Sequence, residues 1–203
     1  LTRLVRGDSV AHDMAGVIGP QRRTRRFKRV EYERLAECGF FHPTERLELI
    51  AGLLLVREPQ GSPHATGITL ALHALQAAFG AGWVVRPQLP IALDDDSEPE
   101  PDLVVVRSHA RDFSSAHPSS VALIVEVSET SLAFDRGVYA RAGIADYWIV
   151  NLIDRVVEIH REPRAAPAAH GWHYGSMRLA RPGESITPLA LPNARLRVIE
   201  LLP

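Results

Sequence analysis

The chain has 203 residues, 46% of them hydrophobic and 23% charged, and a net charge of −1. That size fits one large domain or a domain with a tail, and the composition excludes a disordered, collagen-like or low-complexity chain. No apolar run nears the roughly 18 residues of a bilayer span, and one cysteine, Cys38, cannot make an internal disulfide or a thiolate zinc cluster, so the composition predicts a soluble, cytoplasmic domain without a membrane partner.

Residues 1–30 carry eight basic side chains against Asp8 and Asp13, so a basic segment precedes an acidic body. Gly16, Gly19 and Pro20 break any helix there, and residues 1–26 are expected to be a flexible segment ahead of a domain over 27–203. Such a segment can hold a nucleic-acid backbone by releasing counterions. A short helix is predicted from Arg29 to Cys38, and Thr44 is placed to cap a turn at 45–47. Leu49 to Arg57, interrupted by Ala51-Gly52, predicts a hairpin. Ser62-Pro63 opens a helix that runs to Phe79, with Leu72, Leu75 and Phe79 close to helical spacing.

Trp83 to Leu93 predicts a strand that Pro87 and Pro90 push to a sheet edge. The acidic, proline-rich stretch 94–101 predicts a solvated loop. Leu103 to Val106 and Val121 to Val127 are core strands, joined by a polar loop. A helix over 132–142 and a hairpin turning at Asn151–Arg155 follow. Residues 163–181 look loop-rich, and Leu196 to Leu201 predicts a late strand. Strands and helices mix without strict alternation, so the expected class is α/β (α+β) around one mixed sheet.

Two acids flank the core strands. Asp102 immediately precedes Leu103, and Glu126 stands near the end of the second strand. Antiparallel pairing of these runs brings the start of one beside the end of the other, so both carboxylates meet at one rim. A carboxylate between two valines is costly to bury alone. Mg²⁺ or Mn²⁺ is one solution, because carboxylate oxygens are their natural ligands; pairing with arginine is the other. Cys38, with His42 nearby, is expected to be a buried small hydrophobe rather than a nucleophile. His170 and His173 lack convincing companions for a zinc site. No G-x-S-x-G, P-loop or G-x-G-x-x-G pattern occurs.

The ordered series Pro101-Asp102-Leu103-Val104-Val105-Val106, Glu126-Val127-Ser128 and Tyr139-Ala140-Arg141-Ala142-Gly143-Ile144-Ala145-Asp146-Tyr147-Trp148 resembles the Uma-type restriction endonuclease family of the PD-(D/E)XK superfamily. Glu48 in Glu45-Arg46-Leu47-Glu48-Leu49-Ile50 and His64 in Ser62-Pro63-His64 also resemble its early motifs. The resemblance implies a restriction-endonuclease-like core, a central mixed sheet flanked by helices. It implies Asp102 and Glu126 as metal ligands, Glu48 as an assisting catalytic acid, and His64 as a recurrent histidine without an assigned role. Glu100 is expected to tune the neighbouring site.

One departure stands out. The family continues after Asp-Arg-Gly with a short stretch containing a lysine, whereas here Arg136-Gly137-Val138 runs directly into Tyr139. About four residues are missing, close to one helical turn. Lys28 is the only lysine in the chain, and Ser128 stands two residues past Glu126, where the superfamily often has a basic residue. Arg136 and Arg141 are left as sources of charge, although guanidinium cannot act as a base. Two functions follow: a metal-dependent endonuclease on DNA, impaired by the lost lysine, or an inactive nucleic-acid-binding or assembly module of the same fold. The two strands of DNA make a homodimer an expectation.

Overall fold

A computed structural model describes residues 24–129 and 133–203. Its centre is a six-stranded sheet of β3 (Val84–Pro87), β4 (Leu103–Val106), β5 (Leu123–Ser128), β6 (Asp146–Asn151), β7 (Val156–Ala165) and β8 (Trp172–Ala180), in that spatial order. Only β5 and β6 pair in parallel; every other neighbour is antiparallel. A parallel pair needs a crossover, and α3 (Ala133–Arg141) provides it. The helix α1 (Arg29–Glu37), the hairpin of β1 (Leu47–Ile50) and β2 (Leu53–Val56), and α2 (Ser62–Phe79) precede the sheet. A short pair, β9 (Ser185–Ile186) and β10 (Leu196–Arg197), follows it.

The period-two alternation of the central strands sorts side chains onto two faces. Leu103, Val105, Leu123, Val125 and Val127 pack with Ile68, Ala71, Leu75 and Phe79 of α2. Val104, Val106, Ile124 and Ile149 pack with Tyr139 of α3 and with Tyr147. Gly67 lets α2 sit close to β5, since a Cβ there would lie 2.9 Å from a Val127 methyl. Pro63 in the first turn of α2 fits the helix start, where a missing N–H costs nothing.

Several expectations need correction. Residues 163–181 are mostly strand, because β7 continues to Ala165 and β8 completes the sheet. β8 is an edge strand with polar and exposed side chains, so its sequence lacks the apolar alternation that identifies a strand. The strand beginning near Trp83 ends at Pro87, where Gln88 adopts φ 48° and the chain turns. The late strand is only Leu196–Arg197, followed by a 3₁₀ turn at Val198–Leu201. The early turn lies at 42–45, with Glu45 Oε2 accepting from His42 N at 3.0 Å.

The expected flexible segment falls mainly on residues 1–23, outside those described. Its last part, residues 24–26, is described and abuts the β1–β2 turn at Arg26. Phe27 N donates to Gly52 O at 2.9 Å, and the Arg26 guanidinium donates to Ala51 O. Gly52 has φ +79°, and a Cβ there would stand 2.6 Å from Arg26 Cβ. Among the described residues, no helix is long and apolar enough to cross a membrane.

Candidate active site

The β4–β5 register pairs Leu103 with Val125, so one further step sets Asp102 opposite Glu126. Each acid's side chain accepts a main-chain hydrogen bond from the other strand's backbone. Asp102 N donates to Glu126 Oε2 at 3.0 Å, and Val127 N donates to Asp102 Oδ2 at 2.9 Å. Tyr139, reaching down from α3, donates its hydroxyl to Glu126 Oε1 at 2.8 Å. The rim position expected for both acids is therefore the one observed, with both carboxylates buried.

Three further elements converge on this rim. β1 brings Glu48, whose Oε2 accepts from Glu100 N at 3.0 Å. The first turn of α2 brings His64, with Nε2 3.2 Å from Asp102 Oδ2. This is an ion pair when the ring is protonated rather than a well-aligned hydrogen bond. Asp102 raises the His64 pKa above its usual range, against the opposing pull of burial. The end of β2 brings Arg57, whose Nη1 donates to Glu100 O at 2.8 Å and to Glu100 Oε2 at 3.1 Å. Its Nη2 lies 3.6 Å from Asp102 Oδ1. Burial works against the Arg57 charge, but Glu48, Asp102 and Glu100 more than offset it.

These groups line a cleft of about 260 Å³. Glu48, Glu58, Glu100, Asp102 and Glu126 contribute carboxylates to it, against the guanidinium of Arg57 and the imidazole of His64. The oxygen donors have the right chemistry for a hard divalent ion. Among the described residues, no three His, Cys, Asp or Glu side chains form a ready-made cage. Mg²⁺ does not require one, since it is usually held by one or two carboxylates, with waters and substrate phosphate completing its shell. The residues fit such an ion as a two-carboxylate site.

Arg136 and Arg141 are not brought to the cleft. Arg136 Nη1 lies 3.9 Å from Glu158 Oε2 and lines a separate cavity of about 290 Å³ beside His160. Arg141 Nη2 binds Asp94 Oδ2 at 2.7 Å and also pairs with Asp96. Arg141 therefore neutralises part of the acidic stretch 94–100. That stretch is packed rather than solvated, with Ser97 and Glu98 buried. Cys38 is exposed at the end of α1, not buried, and its thiol donates to Leu35 O at 3.3 Å.

The sequence reading missed Arg57 and Tyr139 as members of the site. A run of charges ending a strand gives no hint of a partner in a distant loop. Tyr139 does lie in the motif read for family likeness, but its hydroxyl acquires a partner only when α3 folds over β5.

Behind the cleft, Glu98 is joined to Leu49 by backbone hydrogen bonds in both directions, at 2.7 and 3.4 Å. Burial, and then the neighbouring Glu33 carboxylate, push its pKa from 4.5 up to about 7, with Arg29 opposing. The folded state thus holds this proton more tightly than the unfolded chain does. The resulting stabilisation is complete below about pH 4.5 and disappears as pH rises through 7. Glu98→Gln keeps a neutral side chain at every pH. We expect its melting temperature to exceed the wild type's by about 2–8 °C at pH 8, a gain of on the order of 1–2 kcal/mol. The gap should close at pH 4.5; equal melting curves at pH 8 would show that Glu98 does not hold the proton.

The model of the Uma2 family, described as "Putative restriction endonuclease", matches residues 29–198. Among solved structures, the chain is similar to one described as a "putative nuclease belonging to DUF820" from Anabaena variabilis ATCC 29413. The two share 11% identity and a TM-score of 0.65, over 82% of this chain and 96% of that one, a likeness of fold. No curated protein matches. The family match spans the α1–β10 body and every residue of the acidic cleft, and the chain belongs to the Uma2 family of restriction-endonuclease-like proteins.

Proposed function

We propose that this chain is a metal-dependent endonuclease that hydrolyses DNA phosphodiester bonds at the Asp102–Glu126 cleft. The carrying observation is the convergence of these two acids at the rim of β4 and β5, each side chain accepting a main-chain N–H from the other strand's backbone. The cleft's carboxylate excess supports a cation requirement, because a phosphodiester entering it alone meets like charge. Asp102 and Glu126 would hold Mg²⁺ or Mn²⁺. When bound, the ion supplies Lewis-acid charge to a phosphoryl oxygen and makes water a better nucleophile at neutral pH. Tyr139 fixes the Glu126 carboxylate through Oε1, which preserves its aim when substrate arrives. Glu48 holds the loop at Glu100 against the hairpin and so keeps the acidic wall in place.

The absence of a lysine from the cleft favours a second reading, an inactive DNA-binding module. Incubation of the purified protein with supercoiled plasmid distinguishes the two. We expect nicking or linearisation with Mg²⁺ or Mn²⁺ and none with a chelator. Salt-dependent DNA binding without cleavage in either metal would support the module instead. Neither cutting nor binding would reject both.

A further inference from the structure

Resting on the nuclease reading of this cleft, we propose that Arg57 is its phosphate-contacting cation and replaces the charge of the missing lysine. The chain's only lysine, Lys28, does not line the cleft. Arg136 and Arg141, the two arginines nearest the sequence gap, face Glu158 and the Asp94–Asp96 loop. Among the described residues, Arg57 alone contributes a guanidinium to the cleft lining.

Its setting is preorganised. The side chain is only 13% exposed, and the carbonyl and carboxylate of Glu100 hold it from one side. Both of those hydrogen bonds leave from Nη1. Among the described residues, Nη2 makes only the 3.6 Å contact to Asp102 Oδ1, which exceeds hydrogen-bonding distance. Guanidinium carries five N–H donors in a planar fork matched to phosphate oxygens. Arg57 therefore retains a donor edge next to Asp102, with its orientation already fixed. Charge anchored in a partly desolvated cleft stabilises a transition state without reorganising for it. Because guanidinium stays protonated, Arg57 supplies charge and hydrogen bonds, and no proton transfer passes through it.

The test compares wild type with Arg57→Gln, Arg57→Lys and Arg46→Ala. Arg46 lies outside the cleft lining, with Nη2 3.9 Å from Glu100 Oε2 and its side chain 53% exposed. Binding of a fluorescent 20-bp duplex is followed by anisotropy in Ca²⁺ across a salt series, and plasmid cleavage is followed in Mn²⁺. Thermal melts confirm folding. Arg57→Gln should flatten the plot of log affinity against log salt by about 0.9, the value of one lost phosphate contact. Its cleavage should fall about 10²–10³-fold. Arg57→Lys should keep the slope but cut at least about tenfold more slowly, having charge without the fork. Arg46→Ala should match wild type in both.

A folded Arg57→Gln protein with wild-type slope and rate overturns the proposal. So does an Arg46→Ala protein that loses as much slope, since general charge would then explain the effect. If Arg57→Gln does not fold, a folded Arg57→Met variant takes its place, and wild-type slope and rate in that variant overturn the proposal. Wild-type protein that neither cuts nor binds the duplex rejects the nuclease reading and this inference with it. A wild type that binds or cuts, matched by Arg57→Gln, rejects the role of Arg57 alone.

Discussion

Glu126→Gln is expected to reduce metal-dependent DNA cleavage about 10²–10³-fold while leaving the fold intact. The variant is chosen for what it preserves. Glu126 accepts from Asp102 N on Oε2 and from the Tyr139 hydroxyl on Oε1. A glutamine carbonyl can still accept from Asp102 N. Its amide can donate to Tyr139, whose hydroxyl rotates to accept. The buried network stays satisfied, and only the negative charge is lost. A divalent ion senses that loss directly. Wild-type protein at about one hundred times its metal Kd should gain about 2.7 kcal/mol of stability from binding, seen as a rise in melting temperature with Mn²⁺. Glu126→Gln should show little of that rise. Asp102→Asn tests the partner less cleanly, because one amide orientation would turn N–H groups toward Arg57. Undiminished cleavage by folded Glu126→Gln would remove this carboxylate from the reaction.

The pairing of Asp102 with Glu126 was legible because both acids border apolar runs and the connecting loop allows an antiparallel return. Helix α2 was equally legible, since Ser62-Pro63 marks its start and its apolar spacing persists to Phe79. Where recognition depended on distant partners, the sequence was silent. β8 is a strand because β7 pairs with it from Val157↔Ala180 to Ala165↔Trp172, not because its own pattern demands it. Arg57 finds Glu100 across 43 residues, a contact that only the hairpin's docking creates.

Arg141 shows the converse. An α-helix turns about 100° per residue, so Arg141 lies about 200° around α3 from Tyr139. Once Tyr139 faces Glu126, Arg141 must face away, and it does so toward Asp94 and Asp96. Knowing where one helical residue points would have excluded the other from the cleft.

The opposite end of the sheet provides the contrasting case, a carboxylate bound up entirely in the fold. Asp146 begins β6, and its side chain is wholly buried. Its Oδ1 accepts from Trp148 Nε1 at 2.9 Å and from Arg161 Nε at 2.8 Å, and its Oδ2 accepts from Leu189 N at 2.8 Å. One side chain thereby ties β6 to β7 and to the segment before β10. Asp146→Ala leaves the buried indole N–H and the Leu189 N–H without their acceptor and takes the ion pair from Arg161, which keeps Thr187 O. Breaking such a buried pair costs about 3–5 kcal/mol, which lowers the melting temperature by roughly 6–20 °C for a domain of this size. Asp146→Asn retains one carbonyl acceptor and should cost less than half as much. Neither change touches the cleft, so the cleavage rate per folded molecule should stay at the wild-type value below the melting range. The two buried acids thus predict opposite signatures: Glu126→Gln loses rate and keeps stability, whereas Asp146→Ala loses stability and keeps rate. Thermal melts and plasmid cleavage on the same preparations measure both. An Asp146→Ala protein that melts like wild type would show that Trp148 and Leu189 find other acceptors.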